Sequence, residues 1–459
     1  MMKSAWLNYD KDEKKNVFDF NAHYIDMITC AKTERLFVKE SVLKAREKGY
    51  VDLKEILQRK ETIKPGDKIY VTHMNKSMIL INIGTNDIED GLNILGAHID
   101  SPRLDVKPNP LYEDGNLALM DLHYYGGIKK YQWVTVPLAL VGVVCLKDGR
   151  TLDISIGTKP GDPVFVVSDL LIHLSQERMK ETAENVIPGE NMNVTFGNIP
   201  LQDEEKDAVK KNCLHILKET YGFEEEDFFS SELEFVPADP ARSLGIDSSM
   251  VIGYGQDDRV CAYTSLMAQL DCEEVKKTSV TLLVDKEEVG SQGATGMHSQ
   301  FFENTIRELL YAMGRKEERS LKRTLQNSCM LSSDVAAAHD PNYPEASSPN
   351  NQAYLGNGVA MLKYVGSRGK SGSNDANAEY MAKLRHVMEE GNVQVQCVEL
   401  GKVDLGGGGT ISYILANYGM QVVDFGVPVL NMHSPFEVSS KADVYEAYKG
   451  YKAFLTNMD

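Results

Sequence analysis

The chain has 459 residues, of which 42% are hydrophobic and 25% charged, and its formal net charge is -18. That length exceeds one ordinary core and points to two or three domains of globular composition. The acidic surplus argues against a general nucleic-acid binder, and it would repel acidic substrates mildly at long range unless a local basic pocket overrides it. Seven dispersed Cys without a C-x-x-C pair read as buried thiols of a reducing compartment. The first residues, Met1-Met2-Lys3-Ser4-Ala5-Trp6, carry no apolar signal core. No run reaches ~18 apolar residues, so no membrane span and a cytoplasmic location are expected.

Along the chain, Ile25, Met27, Ile28, Leu36, Val38, Val42 and Leu43 recur at helical spacing and predict a helix-rich segment over 20–48, ended by Gly49. Short strands are predicted at 69–71 and 77–83. From 104 to 245 strand and turn signals dominate, among them Lys107-Pro108-Asn109-Pro110 and the apolar run 133–144. A charged helical arm is predicted near 202–220. The acidic run 224–227 reads as solvated surface. Beyond 246, strands and helices alternate. Helices are predicted at 302–314, at 374–391 with Ser373 as N-cap, and at 441–458.

Candidate metal ligands stand at the ends of apolar runs. His98 ends 92–97, Asp334 follows 329–333, and His433 follows 427–432. Asp257 and Asp258 come after 251–254, past a Gly-Gln bend. Glu287 and Glu288 follow 279–284. Open α/β sheets build their sites outside the carboxyl ends of the strands. Adjacent buried carboxylates repel unless a cation lies between them. His98 precedes the β-rich middle and the other candidates follow it. The simplest organisation is therefore one α/β domain, residues 1–103 and 246–459, interrupted by an inserted β-rich domain at 104–245.

Five ligands, His98, Asp257, Glu288, Asp334 and His433, serve two metals if Asp257 bridges, and leave room for water and substrate. Glu287 is then the candidate general base, and Asp100 can hold the second nitrogen of His98. Zinc suits a set of two His and several carboxylates; Co2+ and Mn2+ suit it as well. Each residue also has a plain reading: a satisfied polar strand end, a helix-start acid, a turn, an N-cap. The glycine run 406–409 lacks the Gly-Lys-Ser/Thr ending of a phosphate loop. It is either a tight passage beside the substrate or the start of the next helix. The basic loop Ser367-Arg368-Gly369-Lys370 is either a substrate-binding element or a solvated loop. His215, His298 and His386 read as structural or exposed.

Five stretches together resemble one family: Ala97-His98-Ile99-Asp100-Ser101-Pro102-Arg103-Leu104; Asp257-Asp258-Arg259; Asp285-Lys286-Glu287-Glu288-Val289-Gly290-Ser291; Ser333-Asp334 with Pro341-Asn342-Tyr343; and Asn431-Met432-His433-Ser434. The chain is similar to the aspartyl aminopeptidase and vacuolar aminopeptidase I family of dinuclear zinc exopeptidases, in order across almost its whole length. The resemblance implies a zinc-exopeptidase α/β/α sandwich whose inserted domain mediates dimerisation. It implies homodimers assembling into a tetrahedral homododecamer around a chamber that admits short or unfolded peptides. It implies two Zn2+ per subunit on His98, Asp257, Glu288, Asp334 and His433, with Glu287 as acid/base and Asp100 as the orienting aspartate. It also implies that His173 reaches the partner subunit's active site.

Two departures bear on specificity. Aspartyl aminopeptidases have Asn where this chain has Asp258, and the loop with Arg368 and Lys370 is closer to the aminopeptidase I-like bacterial branch. Acidic and neutral N-terminal residues both stay open, Arg368 or Lys370 being able to pair with a substrate carboxylate. The expected activity is removal of the N-terminal residue from peptides. The rivals are a dinuclear carboxypeptidase or N-acyl amino acid deacylase on the same fold, and a non-enzymatic nucleotide-binding or shell protein.

Overall fold

The computed structural model describes residues 3–366, 368–405 and 407–459. Ser367 and Gly406, from the two loops singled out above, lie outside the described residues. The chain divides into two compact units. One comprises Met1–Asp100, Ala241–Met432 and Glu437–Asp459; the other comprises Ser101–Pro240 and His433–Phe436.

The first unit is built on a nine-stranded sheet. Its order is Val51–Asp52, Lys68–His73, Ser77–Asn82, Thr278–Val284, Leu92–His98, Cys329–Ser332, Gln421–Gly426, Val359–Leu362, Val395–Val398. The four central strands, 278–284, 92–98, 329–332 and 421–426, are mutually parallel. Their neighbours Ser77–Asn82 and Val359–Leu362 run antiparallel to them. Every residue of the first three central strands is buried, as expected for strands covered on both faces.

Side-chain alternation sorts these strands into two cores. Leu95, Ala97, Leu283, Leu331 and Val423 face one core, shared with residues of helices Lys11–Cys30, Glu34–Glu47, Gln256–Leu270, Ala378–Glu390 and Lys441–Asn457. Ile94, Val280, Leu282, Met330 and Val422 face the other, shared with helices Leu53–Arg59, Phe301–Ala312, Glu318–Gln326 and Ser412–Ala416. The result is a helix–sheet–helix sandwich. A smaller five-stranded sheet, ordered 242–244, 250–253, 437–440, 428–430, 336–337, belongs to the same unit.

The second unit holds a seven-stranded sheet, ordered Thr151–Ile156, Leu138–Cys145, Ser231–Pro237, Arg103–Asp114, Leu117–Tyr125, Val194–Gly197, Val166–Val167. All its pairings are antiparallel. One α-helix, Ala208–Ile216, stands in place of the longer predicted arm and continues as a π turn to Tyr221.

Local chemistry moves some predicted boundaries. The helix over 20–48 is two helices. Asp10 caps the first by accepting from the N–H groups of Asp12 and Glu13, and Thr33 accepts from Leu36 N–H to start the second. The helix expected from 374 begins at Ala378, with Asn377 at the N-cap. Ser373 does not cap it. The Ser373 hydroxyl instead accepts from Val365 N–H at 3.0 Å, and Ala376 N–H donates to Lys363 O at 2.9 Å. Those bonds hold 373–376 in the preceding loop. Among the described residues no helix is long and apolar enough to cross a membrane.

Asp424 lies buried on strand 421–426, where Thr410 Oγ1 donates to it at 2.6 Å. Burial pushes its carboxyl up to about 6 against the opposing pull of its hydroxyl donors. The folded chain therefore keeps a proton that an unfolded aspartate, with a pKa of about 3.9, has already lost. Stability from this group is full below about pH 4 and is lost as pH rises through about 6. Thermal unfolding from pH 4.5 to 7.5 should show Asp424→Asn gaining on the parent as pH rises, by about 2–3 kcal/mol in total.

Candidate metal centre

Parallel packing of the central strands places their carboxyl ends along one edge. Val284 pairs with His98, and Ser332 with Gly96. Asp334 follows two residues past its strand. Asp285 and Lys286 lead from Val284 into the short 3-10 turn Glu287–Val289, with Lys286 at φ 75°. Asp257 arrives differently. Gly255 takes φ 69°, Asp257 and Asp258 keep non-helical dihedrals, and the regular helix starts after them. The Asp257–Asp258 peptide is cis.

His98 is the hub. Its Nδ1 lies 3.0 Å from the Asp100 carbonyl, to which it donates. That bond leaves the Nε2 lone pair aimed at carboxylates: Asp257 Oδ1 at 3.1 Å, Glu287 Oε2 at 3.9 Å and Asp334 Oδ1 at 4.0 Å. A lone pair ringed by anions is unfavourable unless Nε2 takes a proton or a cation sits between them. Burial alone would lower the imidazole pKa. Its hydrogen bonds to Asp100 and Asp257 outweigh burial and hold it well above the ordinary value.

Donor atoms of His98, Asp257 and Glu288 lie within 4.8 Å of one another, and so do those of His98, Asp258 and Asp334. Asp258 is fully buried, and neither of its oxygens has a hydrogen-bond donor in reach apart from the weak Cys261 thiol. Burial, reinforced by Asp334, drives its carboxyl far above the usual range. Burial likewise raises Asp334, with Glu287 and Asp257 adding to the effect. In both cases burial leads, and the nearby His98 charge opposes the rise without cancelling it. One imidazole and several carboxylates at these separations fit zinc, which takes His nitrogen and carboxylate oxygen together.

Asp100 joins two parts of this cluster. Its carboxylate accepts from Glu287 N–H and Glu288 N–H, both at 3.2 Å, while its carbonyl holds His98. The Glu287 side chain remains 19% exposed, the one partly open carboxylate against His98 among Asp257, Glu287 and Asp334.

The other sequence candidates are described by their own surroundings. His433 belongs to the second unit, where its Nδ1 donates to Gly127 O at 2.7 Å. His173 is exposed in that unit, between the exposed Ile172 and Leu174. Arg368 and Lys370 line a cavity of about 380 Å³ with Tyr364, Glu399 and Lys402, and none of the clustered acids lines it. Lys370 pairs with Asp375 at 3.0 Å and stands 3.7 Å from the centroid of the Tyr364 ring. The glycine run leads through Thr410 into helix Ser412–Ala416, and Gly408 O accepts from Gly366 N–H. Sequence reasoning set Asp258 aside, although its adjacency to Asp257 was the available signal. It missed Glu437, whose Oε2 accepts from Asp257 N–H at 3.0 Å.

A helix-clad, mostly parallel sheet with a buried His–carboxylate cluster at its carboxyl edge has the construction of a metallohydrolase. Comparison with known proteins narrows the class. Residues 27–455 match the family model of the aminopeptidase I zinc metalloproteases, M18. A relative from Clostridium acetobutylicum, described as a probable M18 family aminopeptidase 1, is 55% identical over 99% of this chain and 98% of its own. The solved M18-family aminopeptidase of Thermotoga maritima superposes with a TM-score of 0.95 at 43% identity, covering 100% of both chains. Likeness of fold alone extends to the Saccharomyces cerevisiae mApe1 dodecamer, with a TM-score of 0.76 at 19% identity over 96% of this chain and 97% of that one. The chain belongs to the M18 family, and it is a metal-dependent aminopeptidase of that zinc family.

Gly426 tests the packing under the cluster. A Cβ there would fall 1.7 Å from the Asp334 carbonyl oxygen, so the backbone carrying Asp334 must shift. Gly426→Ala is expected to cost about 1–3 kcal/mol of stability. Peptidase assays on the folded variant should also show kcat/KM down by roughly tenfold or more, since small misplacements at a reacting centre are amplified in rate.

Proposed function

We propose that the enzyme removes single N-terminal residues from peptides with two zinc ions per chain. In this reading His98, Asp257, Glu288, Asp334 and His433 would hold the two ions. The observation that carries it is the His98 Nε2 lone pair ringed by carboxylates, with Glu287 beside that set and still open to solvent. Zinc, when bound, supplies a Lewis acid that polarises the scissile carbonyl and makes water acidic. Glu287 takes the proton of the attacking water and returns it to the leaving amine. Asp100 fixes the His98 tautomer and, through two N–H groups, the turn that carries Glu287.

On specificity, Lys370 is already engaged by Asp375 and Tyr364. That weighs toward a neutral N-terminal side chain, with Arg368 the remaining basic group for an acidic one. The inserted segment serves as a dimerisation domain, with dimers building a dodecamer and His173 delivered to the partner subunit's active site. Support comes from the exposed apolar run Leu170, Leu171, Ile172 and Leu174, a sequence pattern that marks contact surfaces. The shared fold of a yeast chain solved as a dodecamer accords with this.

The decisive assay measures release from aminoacyl-p-nitroanilides with Asp, Glu, Leu, Met and Lys, beside N-acylated counterparts. Release should need the free amine, stop with chelator, and fall roughly 10²–10⁴-fold in Glu287→Gln while zinc stays bound. Metal analysis should return two zinc per chain. Turnover of the N-acylated set, or an active Glu287→Gln, would sink the mechanism. For the assembly, Ile172→Asp should sediment as a smaller particle than the parent; an unchanged particle excludes that surface.

A further inference from the structure

Gln256, the residue before the proposed zinc ligand Asp257, is wholly buried. Its Nε2 donates to Glu437 O at 2.6 Å and to Val251 O at 3.3 Å. Its Oε1 accepts from the Tyr24 hydroxyl at 3.0 Å and from Ser439 Oγ at 2.5 Å. Both amide protons and both lone pairs are thereby used, which is all a glutamine offers. The amide orientation is fixed as well, because two carbonyls accept on one side and two hydroxyls donate on the other.

The partners come from separate parts of the first unit. Tyr24 lies on helix Lys11–Cys30, Val251 on strand Met250–Gly253, and Glu437 and Ser439 on strand Glu437–Ser440. Tyr24, Ser439 and Glu437 are all at most 1% exposed. The same Glu437 returns to the chain one residue further on, where its Oε2 accepts from Asp257 N–H at 3.0 Å. Backbone at this point needs such support. Asp257 and Asp258 lie outside helical geometry, so the N–H of Asp257 has no intrahelical acceptor.

If this core position served packing alone, an apolar side chain of similar size would fill it without four hydrogen bonds to satisfy. We infer that Gln256 and Glu437 are positioning residues that aim the Asp257 carboxylate at the zinc centre, with Tyr24 and Ser439 holding Gln256 in place. The strut acts through the backbone and touches neither metal nor substrate. The inference rests on Asp257 being a zinc ligand, as proposed above.

Its test reads zinc affinity by competition with a chromogenic chelator, together with kcat and KM, on the full-length enzyme. Gln256→Glu replaces the donating amide by a carboxylate facing two carbonyls. Tyr24→Phe removes one hydroxyl and keeps the ring, so it guards against a variant that fails to fold. Zinc affinity should drop roughly 10- to 100-fold in Gln256→Glu and less in Tyr24→Phe, the usual scale for groups that orient a ligand. With zinc restored to saturation, kcat should stay low while KM changes little. Parental zinc affinity and kcat in both variants, with only the melting temperature lowered, would overturn the inference and leave a purely structural network. Asp257→Asn separates the two levels. If it keeps parental zinc affinity, the ligand reading fails and the strut falls with it. If it loses zinc while Gln256→Glu and Tyr24→Phe do not, the strut alone fails.

Discussion

A histidine nitrogen that faces carboxylates with its lone pair sets the conditions for the rest of this molecule. Once Nδ1 of His98 is committed to the Asp100 carbonyl, Nε2 of the neutral ring is left with a lone pair, and three acidic side chains surround it within 4.0 Å, so it must take a proton or a metal ion. In water such a group would be screened. Here His98, Asp257, Asp258 and Asp334 are all buried, and the repulsion is felt at low effective dielectric. A divalent cation removes the conflict and converts a costly arrangement into a binding site. The parallel sheet makes this placement possible, because it brings the strand ends to one edge and encloses them between two apolar cores.

Second contacts then decide how rigid the centre is. Asp100 uses its carbonyl for the imidazole and its carboxylate for the turn of Glu287 and Glu288. Ligand orientation and base placement are therefore parts of one mechanical element. On the opposite approach, Glu437 and Gln256 secure the chain where Asp257 leaves helical geometry. Neither arrangement depends on a mobile loop. Asp100 stands two residues past the buried strand Leu92–His98, and Glu437 lies on the buried strand Glu437–Ser440, so both are backed by the sheets, as a site needs when its geometry must be held tightly.

Much of the architecture was legible because the residues repeat at the right periods. Strands 92–98 and 278–284 are apolar runs long enough to read directly; the first ends at His98, and the second ends three residues before Glu287. The final helix was readable for the same reason. Helix starts were less so. Whether Ser373 or Asn377 caps the helix depends on a hydrogen bond from Val365, eight residues upstream of Ser373, and no local pattern encodes that choice. That Asp257 and Asp258 enter different donor sets depends on backbone dihedrals that a pair of identical residues cannot reveal. Glu437 was invisible for another reason: it meets Asp257 across a gap of 180 residues, and nothing nearby in sequence points to such a contact.

The chain returns to the second unit for four residues, His433–Phe436, long after the main segment Ser101–Pro240 has ended. Met432 and Glu437, on either side, are back in the first unit. The second unit is therefore not a removable module. Excision of 101–240 would strand a tetrapeptide whose His433 imidazole is anchored on Gly127 O, and it would do so one peptide bond from Met432 and four residues from Glu437. A clean division of the two units therefore takes two excisions, at 101–240 and at 433–436.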